Sequence, residues 1–133
     1  MTNGTDRIPG GVYPTMITPF TEDNKIDFTA VANMIDWYME NGCSGVFAVC
    51  QSSEMFCLSD EEKIQLVEFI AQYAKSEARS RGIRNFPVLA SGHTGTDKKR
   101  QAEILNKMYD AGADVIVLIT NRFGEENSDQ QWI

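Results

Sequence analysis

Asn41-Gly42-Cys43-Ser44-Gly45-Val46-Phe47-Ala48-Val49-Cys50 is the stretch whose reading decides the fold. A helix-stop glycine, a short turn and a wholly apolar run follow one another. The run Val46 to Val49 shows no polar alternation, so both of its faces are covered, as in a buried parallel strand. The same order returns at Ala111-Gly112-Ala113-Asp114-Val115-Ile116. Repeated αβ-loop chemistry points to a repeated connection geometry.

Upstream, residues 27–41 read as a helix that Asp27 caps, with Val31, Met34, Ile35 and Tyr38 at helical spacing. Before it, Val12 to Thr18 reads as a first strand interrupted by Pro14. Downstream, Ser59 stands three residues before Glu62, a capping box with Asp60 and Glu61 in the first turn. The stripe of that helix is Ile64, Val67, Ile70, Ala71 and Ala74, and it ends near Gly82. Pro87 to Ala90 is a third strand. Thr96 is expected to cap a third helix carrying Ala102, Leu105, Met108 and Tyr109, stopped by Gly112. Val115 to Thr120 is a fourth strand, and Ser128 begins a fourth helix. Apolar strands alternating with amphipathic helices mean an α/β fold with a parallel sheet. An open doubly wound sheet and a (β/α)8 barrel both use this order. The turn after the first strand, Thr18-Pro19-Phe20-Thr21, has no glycine, and no phosphate-binding glycine motif occurs elsewhere. That tilts the reading toward the barrel.

The length, 133 residues, suits one compact domain, and 42% hydrophobic residues is ordinary for a globular chain. The formal net charge of −7 argues against nucleic acid as a partner. The basic clusters Arg79, Arg81, Arg84 and Lys98, Lys99, Arg100 read as a solvated helix end and helix face. No apolar run is long enough to span a bilayer, so no membrane partner is expected. The polar start, Met1 to Gly10, lacks signal-peptide features, which makes the cytoplasm the default location. Cys43, Cys50 and Cys57, spaced by seven, fit neither a disulfide frame nor a zinc pattern and are expected to be reduced thiols. No metal and no cofactor are expected.

Four short motifs carry a resemblance to a known family. They are Gly11-Val12-Tyr13-Pro14-Thr15-Met16-Ile17-Thr18-Pro19-Phe20, then Cys50-Gln51-Ser52-Ser53-Glu54 with Leu58-Ser59-Asp60-Glu61-Glu62, then Pro87-Val88-Leu89-Ala90-Ser91-Gly92-His93, and Ala111-Gly112-Ala113-Asp114-Val115. In order and spacing they resemble the dihydrodipicolinate synthase / N-acetylneuraminate lyase family. The resemblance implies a (β/α)8 TIM barrel, of which this chain supplies about the first four β/α units. Residues 1–10 would be an N-terminal extension and 11–133 the N-terminal half of the barrel. It also implies a Schiff-base lyase or aldolase acting on pyruvate or another 2-keto acid, and a homo-oligomer of two or four copies in the full-length form.

By the same resemblance Ser52, Ser53, Gln51 and Thr18 are the candidate substrate-binding residues. Ser52 falls on the second hydroxyl of the family's hydroxyl pair and would hold the substrate carboxylate; the alternative is a serine bracing its loop. Gln51 falls on the first hydroxyl, where an amide donates a hydrogen bond but is a poor proton shuttle. Cys50 and Ser53 stand where the family has glycines, which permit positive φ or close approach of a ligand. Glu54 reads as a loop brace. Phe123 takes the place of the family's relay tyrosine and cannot pass a proton. Arg122 either meets an anionic substrate or lies in solvent. His93, the lone histidine, reads as structural or solvated. Thr18 lines the site floor or satisfies backbone in its turn.

No catalytic residue is expected within the chain itself. In the family the Schiff-base lysine lies on the sixth strand, beyond this chain. Lys25, Lys63, Lys75, Lys98, Lys99 and Lys107 fall in loops or on helices, and none is expected to be buried at a strand end, where desolvation lowers a lysine pKa. The 133-residue chain alone is therefore expected to be inactive. The alternative is a noncatalytic or regulatory half-barrel relative acting through association, and a third reading is a phosphate-binding barrel enzyme.

Overall fold

A computed structural model describes residues 8–119. Each of its three α-helices begins on a side-chain cap. In α1, Phe28–Glu40, the Asp27 carboxylate accepts the Ala30 N–H at 3.0 Å. In α2, Asp60–Ser80, the expected capping box is complete. Ser59 Oγ accepts from Glu62 N–H at 3.1 Å, and the Glu62 carboxylate accepts from Ser59 N–H at 2.8 Å. In α3, Lys98–Asp110, the cap is Asp97, not Thr96; its carboxylate accepts the Arg100 N–H at 3.0 Å. Aspartate is the stronger N-cap, and the helix starts one residue later to use it.

The three helices also end alike. Gly42, Gly82 and Gly112 all have positive φ, at 73°, 70° and 115°. In each, the glycine N–H reaches back three residues and the next N–H reaches back five, as in Cys43 N–H to Tyr38 O at 3.0 Å and Ala113 N–H to Met108 O at 3.2 Å. This is the Schellman closure, which satisfies the last helical carbonyls and turns the chain toward the next strand.

The strands are β1, Val46–Val49, β2, Val88–Ser91, and β3, Val115–Val117. They form one parallel sheet in the order β1-β2-β3, with Phe47 opposite Leu89 and Ala90 opposite Ile116. The expected first strand, Val12 to Thr18, is corrected to a single parallel bridge between Thr15 and Phe47. Phe47 N–H donates to Pro14 O and Met16 N–H to Phe47 O, both at 2.9 Å. Pro14 offers only a carbonyl, so the ladder does not lengthen. The last predicted strand is shorter than expected, ending at Val117; Thr120 and the fourth helix lie outside the described residues.

Strand position therefore advances in one direction, from the bridge segment through β1 and β2 to β3. The helices form a single layer, α1 against α2 and α2 against α3, packed on the sheet. A doubly wound fold would reverse its strand order and place helices on both faces; this winding is that of a barrel segment. The core joins Val31, Ile35 and Met39 of α1, Leu66, Val67 and Ile70 of α2, and Val46, Ala48, Val88 and Ala90 of the strands.

One expectation about a helix face needs correction. The buried face of α3 is Gln101, Ile104 and Met108, while Tyr109 is 61% exposed and Ala102 is exposed. A polar Gln101 inside the buried stripe hid its phase. Lys63, on α2, is buried to 2% exposure.

Candidate functional site

Sites in parallel β/α folds form beyond the carboxyl ends of the strands, where the loops converge. Beyond β1 the chain turns at once into a 3-10 helix, Gln51–Ser53. Cys50 is extended, at φ −152°, and the left-handed residue of the loop is Glu54, at φ 56°. The two positions where glycines were expected to matter thus need no positive φ, and side chains fit there without backbone strain.

Ser53 is fully buried. Its hydroxyl lies 2.6 Å from Met16 O and 2.9 Å from Ala48 O as donor, and accepts from Cys50 N–H at 3.1 Å. Thr18, 5% exposed, donates to Ser53 O at 2.7 Å. These contacts tie the segment before α1 to the loop after β1, across more than thirty positions of sequence. Met55 and Leu58 anchor the rest of the loop in the core. Of the four candidate binding residues, the structure brings Thr18 and Ser53 together as a buried brace. It leaves Gln51 and Ser52 exposed on the same short turn.

At the end of β2, Ser91 is 1% exposed and its hydroxyl has no hydrogen-bond partner among the described residues. By the pleat it shares a face with Leu89, and so with the paired Phe47. A buried unsatisfied hydroxyl calls for an explanation. Only its place at a strand end, in Ala90-Ser91-Gly92, hinted at this in the sequence. His93 follows and is 5% exposed, lining a cavity of about 260 Å³ with Thr96, Gln101, Leu105 and Leu118. The expected alternatives for it were structural or solvated, and its burial fits the structural one. Arg122 and Phe123 lie outside the described residues.

Sequence reasoning missed Lys63. Its ammonium donates to Thr94 Oγ1 at 2.9 Å and pairs with Asp60 Oδ1 at 2.8 Å. Asp60 Oδ2 meets the Arg100 guanidinium at 2.9 Å. The cluster joins the starts of α2 and α3 to the loop after β2. The hydrogen bond from Lys63 holds the Asp60 carboxyl below its ordinary pKa; burial opposes the shift and Arg100 adds to it. The face as a whole offers exposed hydrogen-bond donors, Gln51 and Ser52, on a rigidly braced base.

Residues 8–128 match the sequence profile of the Dihydrodipicolinate synthetase family. The chain is 30% identical over 120 residues to the 4-hydroxy-tetrahydrodipicolinate synthase of Bacillus subtilis (strain 168), covering 90% of this chain and 38% of that protein. The synthase of Archaeoglobus fulgidus (strain ATCC 49558 / DSM 4304 / JCM 9628 / NBRC 100126 / VC-16) is 31% identical, with 90% and 37% covered. Among solved structures, a dihydrodipicolinate synthase (dapA) superposes with a TM-score of 0.72 at 30% identity, covering 91% of this chain and 38% of that one. YagE of E. coli K12, a prophage protein of the dihydrodipicolinic acid synthase family in complex with pyruvate, superposes with a TM-score of 0.68 at 28% identity, with 80% and 33% covered. The chain spans little more than a third of the length of these curated relatives.

Proposed function

The chain belongs to the dihydrodipicolinate synthetase family, and on that premise we propose that it is the N-terminal half of a TIM-barrel lyase or aldolase acting on pyruvate or another 2-keto acid. The reacting lysine lies outside this chain. Its amine adds to the keto carbon and expels water, forming an iminium. The iminium draws electrons from the neighbouring carbon, which loses a proton and then attacks an aldehyde, or the steps run in reverse.

Within this chain the work is binding and positioning. The observation that carries the reading is the loop after β1, which presents Ser52 and Gln51 at the carboxyl end of the strand while Ser53 and Thr18 lock its base. The Ser52 hydroxyl and backbone N–H hold the substrate carboxylate, and fixed donors of this kind cost little reorganisation during reaction. Gln51 supplies a further hydrogen bond. With glutamine and Phe123 at the two relay positions, protons move through another group or through water. Ser53 and Thr18 contribute as braces of the binding loop. An assembly of two or four copies and a cytoplasmic setting complete the reading; three free thiols support a reducing environment.

Borohydride trapping with pyruvate, read by intact mass, tests it. The expected result is a reduced adduct on a polypeptide that continues past Ile133 and none on this chain alone, with Ser52→Ala slowing trapping at low pyruvate. A folded longer protein that forms no adduct overturns the 2-keto-acid assignment.

A further inference from the structure

We propose that the opposite end of the sheet holds a binding site for a small phosphorylated molecule. A recess of about 570 Å³ lies between the C-terminal end of α2, the segment 82–86 and Asp114. Phe86 precedes β2 and Asp114 precedes β3, so the recess opens at the amino ends of the strands, away from Ser52. Its size falls within the range of small-molecule sites.

The charges around it are sorted unevenly. Arg81, beside the recess, is neutralised by Asp36 at 2.7 Å, Glu40 at 3.4 Å and Glu77 at 3.5 Å. Lys75 donates to Gly112 O at 3.0 Å and lies 3.4 Å from Asp114. The other oxygen of Asp114 accepts the Val88 N–H at 2.9 Å. Arg79 and Arg84 line the same recess, and neither makes an ion pair with a carboxylate among the described residues. In a protein of net charge −7, two arginines with no carboxylate partner among the described residues therefore line one hollow.

The helix dipole accounts for a cation at Arg79, in the last turn of α2, but not for Arg84, which lies beyond Gly82. Nor do the helix-end carbonyls repel an anion freely. Ala78 O accepts Ile83 N–H at 2.8 Å and Arg79 O accepts Gly82 N–H at 3.2 Å. Guanidinium forks match phosphate oxygens in pairs, and the dianion of a phosphate monoester balances two arginines. Asn85 adds an amide donor, and Ala78, Ile83 and Phe86 offer an apolar wall for the body of the ligand.

The test titrates inorganic phosphate, phenyl phosphate and phenol into the intact protein carrying this chain, by calorimetry at about 0.15 M salt, where surface charges are screened beyond roughly 8 Å. Both phosphates bind and phenol does not. Tighter binding of phenyl phosphate identifies an organic phosphate as the ligand; equal binding identifies the free ion. Arg79→Gln and Arg84→Gln each weaken binding by about tenfold, the loss of a hydrogen bond to a charged group, while Arg81→Gln leaves it unchanged. No binding at millimolar phosphate, or equal affinity in the Arg79 and Arg84 variants, overturns the proposal. The result is independent of pyruvate trapping, because the two sites lie at opposite ends of the sheet.

Discussion

Removing one partner at a time from the Lys63–Asp60 pair gives unequal losses. Lys63 is 2% exposed and its ammonium has two partners, Asp60 at 2.8 Å and Thr94 at 2.9 Å. Asp60 is 22% exposed and retains Arg100 on its other oxygen when Lys63 is gone. Asp60→Ala therefore strands a buried charge with one neutral partner, at a cost of about 3–5 kcal/mol. Loss of an acidic residue from the first turn of α2 adds roughly 0.3–1 kcal/mol. Lys63→Met keeps most of the side-chain volume and leaves Asp60 paired and partly hydrated, so its cost is below about 1 kcal/mol, and it is stabilising if desolvation dominates. Urea denaturation at neutral pH measures both, with an unchanged m-value showing that the midpoint shifts report stability. Equal losses, or a larger loss for Lys63→Met, refute the argument.

Titration sharpens the test. The Asp60 pKa is lowered on folding, so its contribution is present above the ordinary aspartate pKa of about 3.9 and is lost as pH falls through the lower folded value. The Asp60→Ala variant lacks that acid-side decline.

Two further outcomes follow from the loop and the turns. Ser53→Ala removes a fully buried hydroxyl with contacts at 2.6, 2.9 and 3.1 Å; it costs roughly 2–4 kcal/mol by chemical denaturation, against less than about 0.5 kcal/mol for exposed Ser52→Ala. Gly42→Ala meets no neighbouring atom and costs only the left-handed penalty, about 1–2 kcal/mol. Gly112→Ala places a Cβ 2.8 Å from Ala71 Cβ at φ 115°, and its thermal midpoint falls further than that of Gly42→Ala.

Local chemistry accounts for what was readable. The Ser59–Glu62 capping box and the glycine stops act within a few residues, and each appears where its spacing places it. The apolar runs at Val46 and Val88 mark β1 and β2 for the same reason. The failures are nonlocal. A buried Gln101 broke the α3 stripe, a stronger cap one residue on displaced Thr96, and Pro14 cut the first ladder to one bridge. Ser53 gave no sign that it braces a loop, because its acceptors Met16 and Ala48 belong to other segments.

The sequence by itself determined the alternation of elements, the helix ends and the motif order of the family, all of which rest on short-range hydrogen bonding and on hydrophobic periodicity. Only the tertiary structure decided which polar groups are spent and which remain available. It buried Lys63 and Ser53, left Ser52 and Gln51 exposed, and neutralised Arg81 while leaving Arg79 and Arg84 without a carboxylate among the described residues. Burial and pairing depend on which distant segments meet, and a linear pattern of residues does not carry that distance.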